Sequence, residues 1–62
     1  MKKTIYSKLK VGDIFKLYPK DKREYRVEKD GATEIKDIYG YRTDERFKCY
    51  CYLTMPVYVE ED

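Results

Sequence analysis

Phe47-Lys48-Cys49-Tyr50-Cys51-Tyr52-Leu53 is the stretch on which the reading of this chain turns. An extended strand sends successive side chains to opposite faces. Phe47, Cys49, Cys51 and Leu53 then share one face, dry and small enough for a core. Lys48, Tyr50 and Tyr52 share the other, which has the aromatic and basic chemistry of a contact surface.

The neighbouring extended segment, Ile35 to Tyr41, is the natural partner of this strand. With Thr43-Asp44-Glu45-Arg46 as the loop, or Asp44-Glu45 alone, Tyr39 faces Tyr50, Tyr41 faces Lys48 and Asp37 faces Tyr52. The opposite face pairs Ile38 with Cys51 and Gly40 with Cys49. An odd loop would place Ile38 among the tyrosines, so the even register is the one that keeps the buried face consistent. Directly opposed aromatics add about 0.2–1 kcal/mol each to such a hairpin.

Farther out, Leu9-Lys10-Val11-Gly12-Asp13 reads as a turn, followed by a strand over Ile14 to Tyr18 that Pro19 ends. Lys20 to Arg23 is a charged loop. Tyr25 to Glu28 alternates as a second strand, closed by the turn signal Asp30-Gly31. Ile35–Tyr41 and Phe47–Leu53 are the third and fourth strands, and Val57 to Val59 a fifth after Thr54-Met55-Pro56. No apolar period of 3.6 residues runs through the chain. The expectation is one all-β domain over residues 1–62, a five-stranded antiparallel barrel or roll. Its predicted core is Val11, Phe15, Leu17, Tyr25, Val27, Ile38, Cys49, Cys51, Leu53, Val57 and Val59, with Phe47 flanking the cysteines.

Composition limits what such a domain can be. Sixty-two residues lie near the lower size limit for folding without a staple, so each large side chain counts. Charged residues make up 42% of the chain, but the charges nearly cancel at +2 and the aromatics cluster, which separates it from disordered sequences. Met1 to Arg26 carries nine Lys/Arg against three acids, and Val27 to Asp62 five against nine. In a small barrel the two halves intermix, so these fields overlap. No segment has the length of a membrane span or the apolar core of a signal peptide, and the expected location is the cytoplasm.

The opening Leu9-Lys10-Val11-Gly12-Asp13-Ile14-Phe15 and the ending Met55-Pro56-Val57-Tyr58-Val59 resemble small SH3-like barrel proteins of phage and prophage type. In these a leucine and a Val-Gly-Asp lead into the first strand, and a polar-Pro segment enters the last. The resemblance implies a five-stranded barrel and a role in binding a host protein, in the host cytoplasm for a phage product. It carries no catalytic residues over. The absence of tryptophan sets the chain apart from the proline-binding branch.

The residues offer little for catalysis. Without histidine there is no base with an ordinary pKa near neutrality, and both cysteines fall on the predicted buried face. No catalytic residue, cofactor or metal site is expected. A structural zinc needs four ligands, and one chain supplies two thiols; only a symmetric dimer would complete a four-thiolate set. The cysteines read as small core residues.

Tyr39, Tyr41, Tyr50 and Tyr52, with Arg42, Arg46 and Lys48 beside them, form the predicted partner-binding face. Tyrosine and arginine are enriched at interface hot spots. The expected function is therefore binding of a host protein, an engagement that leaves inhibition open as one outcome, with a homodimer as a compatible state. One alternative is weakly sequence-specific nucleic-acid binding, in which tyrosines stack on bases and cations meet phosphates. The acids Asp37, Asp44 and Glu45 beside the hairpin weigh against it. Another is an oligomer that sequesters a nucleotide-like ligand between subunits.

Overall fold

In a computed structural model that describes residues 1–60, the chain is all-β apart from one short 3₁₀ turn. Six strands run in the order β1 (Lys2–Ile5), β2 (Ile14–Phe15), β3 (Glu24–Glu28), β4 (Gly31–Lys36), β5 (Lys48–Cys49) and β6 (Pro56–Val59). They form two antiparallel sheets, β1-β6 and β2-β3-β4-β5, and no closed barrel. A bridge joins the sheets: the Lys16 and Tyr58 amides each donate to the other's carbonyl at 2.8 Å. No helix among the described residues is long and apolar enough to cross a membrane.

β3 and β4 form the longest strand pair, with a register irregularity between Glu24 and Tyr25. Glu28 faces Gly31 across the two-residue turn Lys29-Asp30, one residue ahead of the Asp30-Gly31 signal, whose glycine opens β4. Gly31 has φ +131, and a Cβ there would stand 3.0 Å from the carbonyl oxygen of Cys49. Glycine thus does two things: it takes the turn conformation and lets β5 approach. Alternation on β3 is strict, with Tyr25 and Val27 buried between half-buried neighbours.

The core consists of Phe15, Tyr25, Val27, Ala32, Cys51 and Val57. Phe15 stacks on Tyr25 with centroids 5.5 Å apart, and Tyr6 from the 3₁₀ turn (Tyr6–Lys8) meets Phe15 edge-on at 5.7 Å. The Tyr6 hydroxyl is satisfied by the Gly31 carbonyl at 3.0 Å. Tyrosine therefore serves the core as well as the surface, placing its ring inside and its oxygen on a backbone acceptor.

Several expectations fail, and for identifiable reasons. Lys2–Ile5 is a strand, paired with β6, where the sequence suggested none. The strand at Ile14 ends at Phe15 rather than Tyr18. The predicted third strand is displaced: β4 begins at Gly31 and stops at Lys36, because Asp37–Tyr41 is a turn. Asp37 Oδ1 accepts the Tyr39 and Tyr41 amides at 2.9 and 3.0 Å, the Gly40 amide donates to the Asp37 carbonyl, and Gly40 takes φ +84. An aspartate that captures amides ahead of it, with glycine three residues on, outcompetes strand continuation here.

The register moves with it. Cys49 faces Ala32 and Lys48 faces Thr33, so Tyr39 does not face Tyr50, nor Tyr41 Lys48, nor Asp37 Tyr52. The chain first returns against β4 through Arg42 and Thr43, beside Lys36 and Ile35. It then bulges through Asp44-Glu45-Arg46, where Glu45 has φ 60, and rejoins β4 where the Glu34 amide donates to the Phe47 carbonyl at 2.9 Å. Residues assigned to a hairpin loop are thus a bulge within one arm.

Four predicted core residues are exposed. Val11, Ile38 and Leu53 sit in turns, and Phe47 flanks the edge strand β5 with 66% of its surface open. Leu17, Cys49 and Val59 are partly buried against the core.

Candidate functional site

The arm from Asp37 to Leu53 carries most of the exposed aromatic surface, and its shape follows from the local chemistry above. Tyr39 and Tyr41 ride on the turn beyond the C-terminal end of β4; Tyr50 and Tyr52 follow β5, beyond the N-terminal end of β4. All four are exposed, Tyr50 most of all at 89%. The six residues of β4 lie between the two groups, a rise of about 20 Å along the strand. The predicted ladder of four tyrosines is thus two pairs at opposite ends of the arm. None of the four stacks on another among the described residues.

The cations sit between and beside these pairs, and acids hold most of them. Arg46 pairs with Asp44 at 2.9 Å and Lys48 with Asp30 at 3.5 Å. Arg26 on β3 reaches over β4 to bond both Glu28 and Glu45, which ties down the bulge. Hydrogen bonds to these two carboxylates hold the guanidinium pKa above its ordinary value. Arg42 makes no ion pair among the described residues.

Two open depressions flank β5. One, of about 350 Å³, is lined by Tyr25, Glu34, Phe47, Lys48 and Cys49. It marks the end of the inner face that no element covers, which is why Phe47 is exposed while its cross-strand row includes buried Tyr25. The other, about 340 Å³, lies between the Lys29-Asp30 turn and the segment after β5, with Leu9, Val11, Tyr50, Cys51 and Leu53 in its walls. Sequence reading placed Val11 and Leu53 in the core and so missed them as surface. Their signal was positional: Val11 stands inside a Lys-Val-Gly-Asp turn, and Leu53 just before Thr54-Met55-Pro56.

Cys49 and Cys51 keep the alternation of the original stretch, with Tyr50 outward between them. Cys51 is buried and Cys49 partly so, and their sulfurs lie 3.9 Å apart. Burial pushes the Cys51 thiol up to about 12, reinforced by the Cys49 sulfur beside it. A thiol in that state is a poor nucleophile. Tyr6 is raised too, first by burial and then by the two sulfurs. Among the described residues no three His, Cys, Asp or Glu side chains converge as a metal cluster.

Compared with known proteins, the chain matches no family model, no curated protein and no solved structure.

Proposed function

We propose that this chain is a non-enzymatic binding protein, of the SH3-like phage type its sequence resembles, that engages a host protein through the Asp37–Leu53 arm. The observation that carries the reading is the exposed aromatic and apolar surface of that arm: Tyr39 and Tyr41 at one end, Tyr50, Tyr52 and Leu53 at the other. Such side chains give large contact area with few rotors to freeze. The groove walled by Val11, Tyr50 and Leu53 is the natural seat for a partner's apolar side chain.

The ion pairs favour a protein over a nucleic acid. A phosphate backbone needs free cations, and Arg46 and Lys48 are already matched to carboxylates. The SH3-like assignment draws support from strand order. The Lys16–Tyr58 bridge continues β1-β6 into β2-β3-β4-β5, a half-closed arrangement of short antiparallel strands.

The test is capture from bacterial lysate, with and without nuclease, by the wild-type chain and by Tyr50→Ala and Tyr52→Ala. The expected result is a nuclease-resistant protein partner lost in both variants, whose far-UV spectra and melting match the wild type. Loss on nuclease treatment, together with binding to single-stranded DNA that weakens with salt, would favour the nucleic-acid alternative. Unfolding of both variants would remove the interface argument.

A further inference from the structure

The two cysteines are not fully accounted for by packing. Cys51 belongs to the core, but Cys49 is only partly buried, and each cysteine borders a different depression: Cys49 the one beside Phe47, Cys51 the one beside Tyr50. Their sulfurs lie 3.9 Å apart, with the Cys51 thiol directed at Cys49. Two uncharged thiols at van der Waals separation gain almost nothing from each other. Replaced by one shared ion, the same spacing becomes a chelate. With metal–thiolate bonds of about 2.3 Å, sulfurs this far apart subtend roughly 115° at a single ion. That lies between the trigonal and tetrahedral angles and far from linear.

We propose that Cys49 and Cys51 form a two-thiolate seat for a soft, thiophilic d¹⁰ cation, of the class of cuprous ion. Thiolate donors select soft ions, while magnesium and calcium want carboxylate and carbonyl oxygens. Zinc in a structural site asks for four protein ligands, and no third His, Cys, Asp or Glu joins this pair among the described residues. A cuprous ion accepts two thiolates and completes its shell with an exogenous donor approaching through either depression. Binding releases two protons: both S–H bonds break, two S–metal bonds form, and the monovalent ion and two thiolates leave a net charge of −1.

The seat is tested by anaerobic titration of the reduced protein with cuprous ion held by the chromophoric chelator bicinchoninate. The expected result is transfer of one equivalent per chain, a new near-ultraviolet thiolate-to-metal absorption, and a higher melting temperature. The rise in melting temperature is the discriminating readout. The unfolded chain carries the same two thiols, so melting rises only if the folded arrangement binds better. Cys49→Ser, which leaves the buried Cys51 in the core, is expected to keep the far-UV spectrum and lose the one-to-one transfer. Copper that stays with the chelator would overturn the proposal. So would full transfer to the serine variant, or binding that leaves the melting temperature unchanged or lowers it.

Discussion

Phe15 and Phe47 are the same residue in two regions that obey different rules. Phe15 is 1% exposed, held between Tyr6 and Tyr25 where both sheets meet. Phe47 is 66% exposed beside a two-residue edge strand, with a depression where a further element would have covered it. One region has enough neighbours to fix every ring. The other leaves its apolar residues on the surface.

The largest expected effect is in the first region. Phe15→Ala removes the ring that both Tyr6 and Tyr25 pack on, and truncations of this kind cost about 3–5 kcal/mol. A single core in a chain this short rarely supplies more than about that much in total. The variant is therefore expected to be largely unfolded at 25 °C by far-UV circular dichroism. A cooperative melt close to that of the wild type would mean the core lies elsewhere.

Asp37→Ala tests what shapes the arm. It removes the acceptor of two backbone amides, with an expected loss of about 1 kcal/mol in denaturant unfolding. Amide exchange should accelerate at Tyr39 and Tyr41 and leave β3 unchanged, since only the turn depends on that carboxylate. Equal acceleration in β3 would show that arm and core open together. Thr33→Val acts with the opposite sign. Thr33 is buried, and its hydroxyl has no hydrogen-bond partner among the described residues. Replacing it with a methyl of similar shape is expected to raise stability by about 1 kcal/mol. A loss of that size would mean the hydroxyl is satisfied by something that valine cannot hold.

These regions also differ in how far they can be read from sequence. Along β3, alternating Tyr25 and Val27 and the Asp30-Gly31 turn signal are local facts, and local facts decide a hairpin with a two-residue loop. The start of β2 and the burial of Phe15, Cys51 and Val57 were legible for the same reason. The register of the arm was not. Both the Asp37 turn and the Asp44–Arg46 bulge have short-range causes, but Ile35-Lys36-Asp37-Ile38-Tyr39 also carries β-favouring residues, and pattern alone does not weigh a side-chain acceptor against a ladder. β1 was missed because Lys2–Ile5 becomes a strand only through β6, more than fifty residues away. The tyrosines of the candidate site were correctly placed outside the core, although the face they were thought to share was built on a register eight residues off.

Acid stability probes the charged loop between β2 and β3. Asp21 accepts four bonds from the Arg23 guanidinium and backbone, which hold its carboxyl below the usual carboxylate pKa. A depressed pKa in the folded state means stability that is fully present above the ordinary carboxylate range and lost as pH falls through the folded value. The pair is partly exposed, so its contribution is at most about 1 kcal/mol. Asp21→Asn is expected to lower the melting temperature slightly at pH 7 and to narrow its gap from wild type below pH 3. A gap that widens in acid would reverse the sign assigned to this pair.

Phe47→Ala is expected to do least to the fold and most to the question of use. About a third of the ring is covered, so of the roughly 1.5–3 kcal/mol that full burial of such a side chain contributes, only about 0.5–1 kcal/mol is at stake. With no packed cavity to leave behind, the further penalty that Phe15→Ala carries is absent. Measured by chemical denaturation, the two alanine variants should differ by several-fold in destabilisation. Partner capture by the folded Phe47→Ala variant then separates two versions of the site. If the partner contacts only the groove beside Val11, Tyr50 and Leu53, capture survives, because Phe47 borders the other depression. If it wraps β5 from both sides, capture falls while the melting curve barely moves. A large loss of stability instead would place Phe47 in the cooperative core and erase the contrast between the two regions.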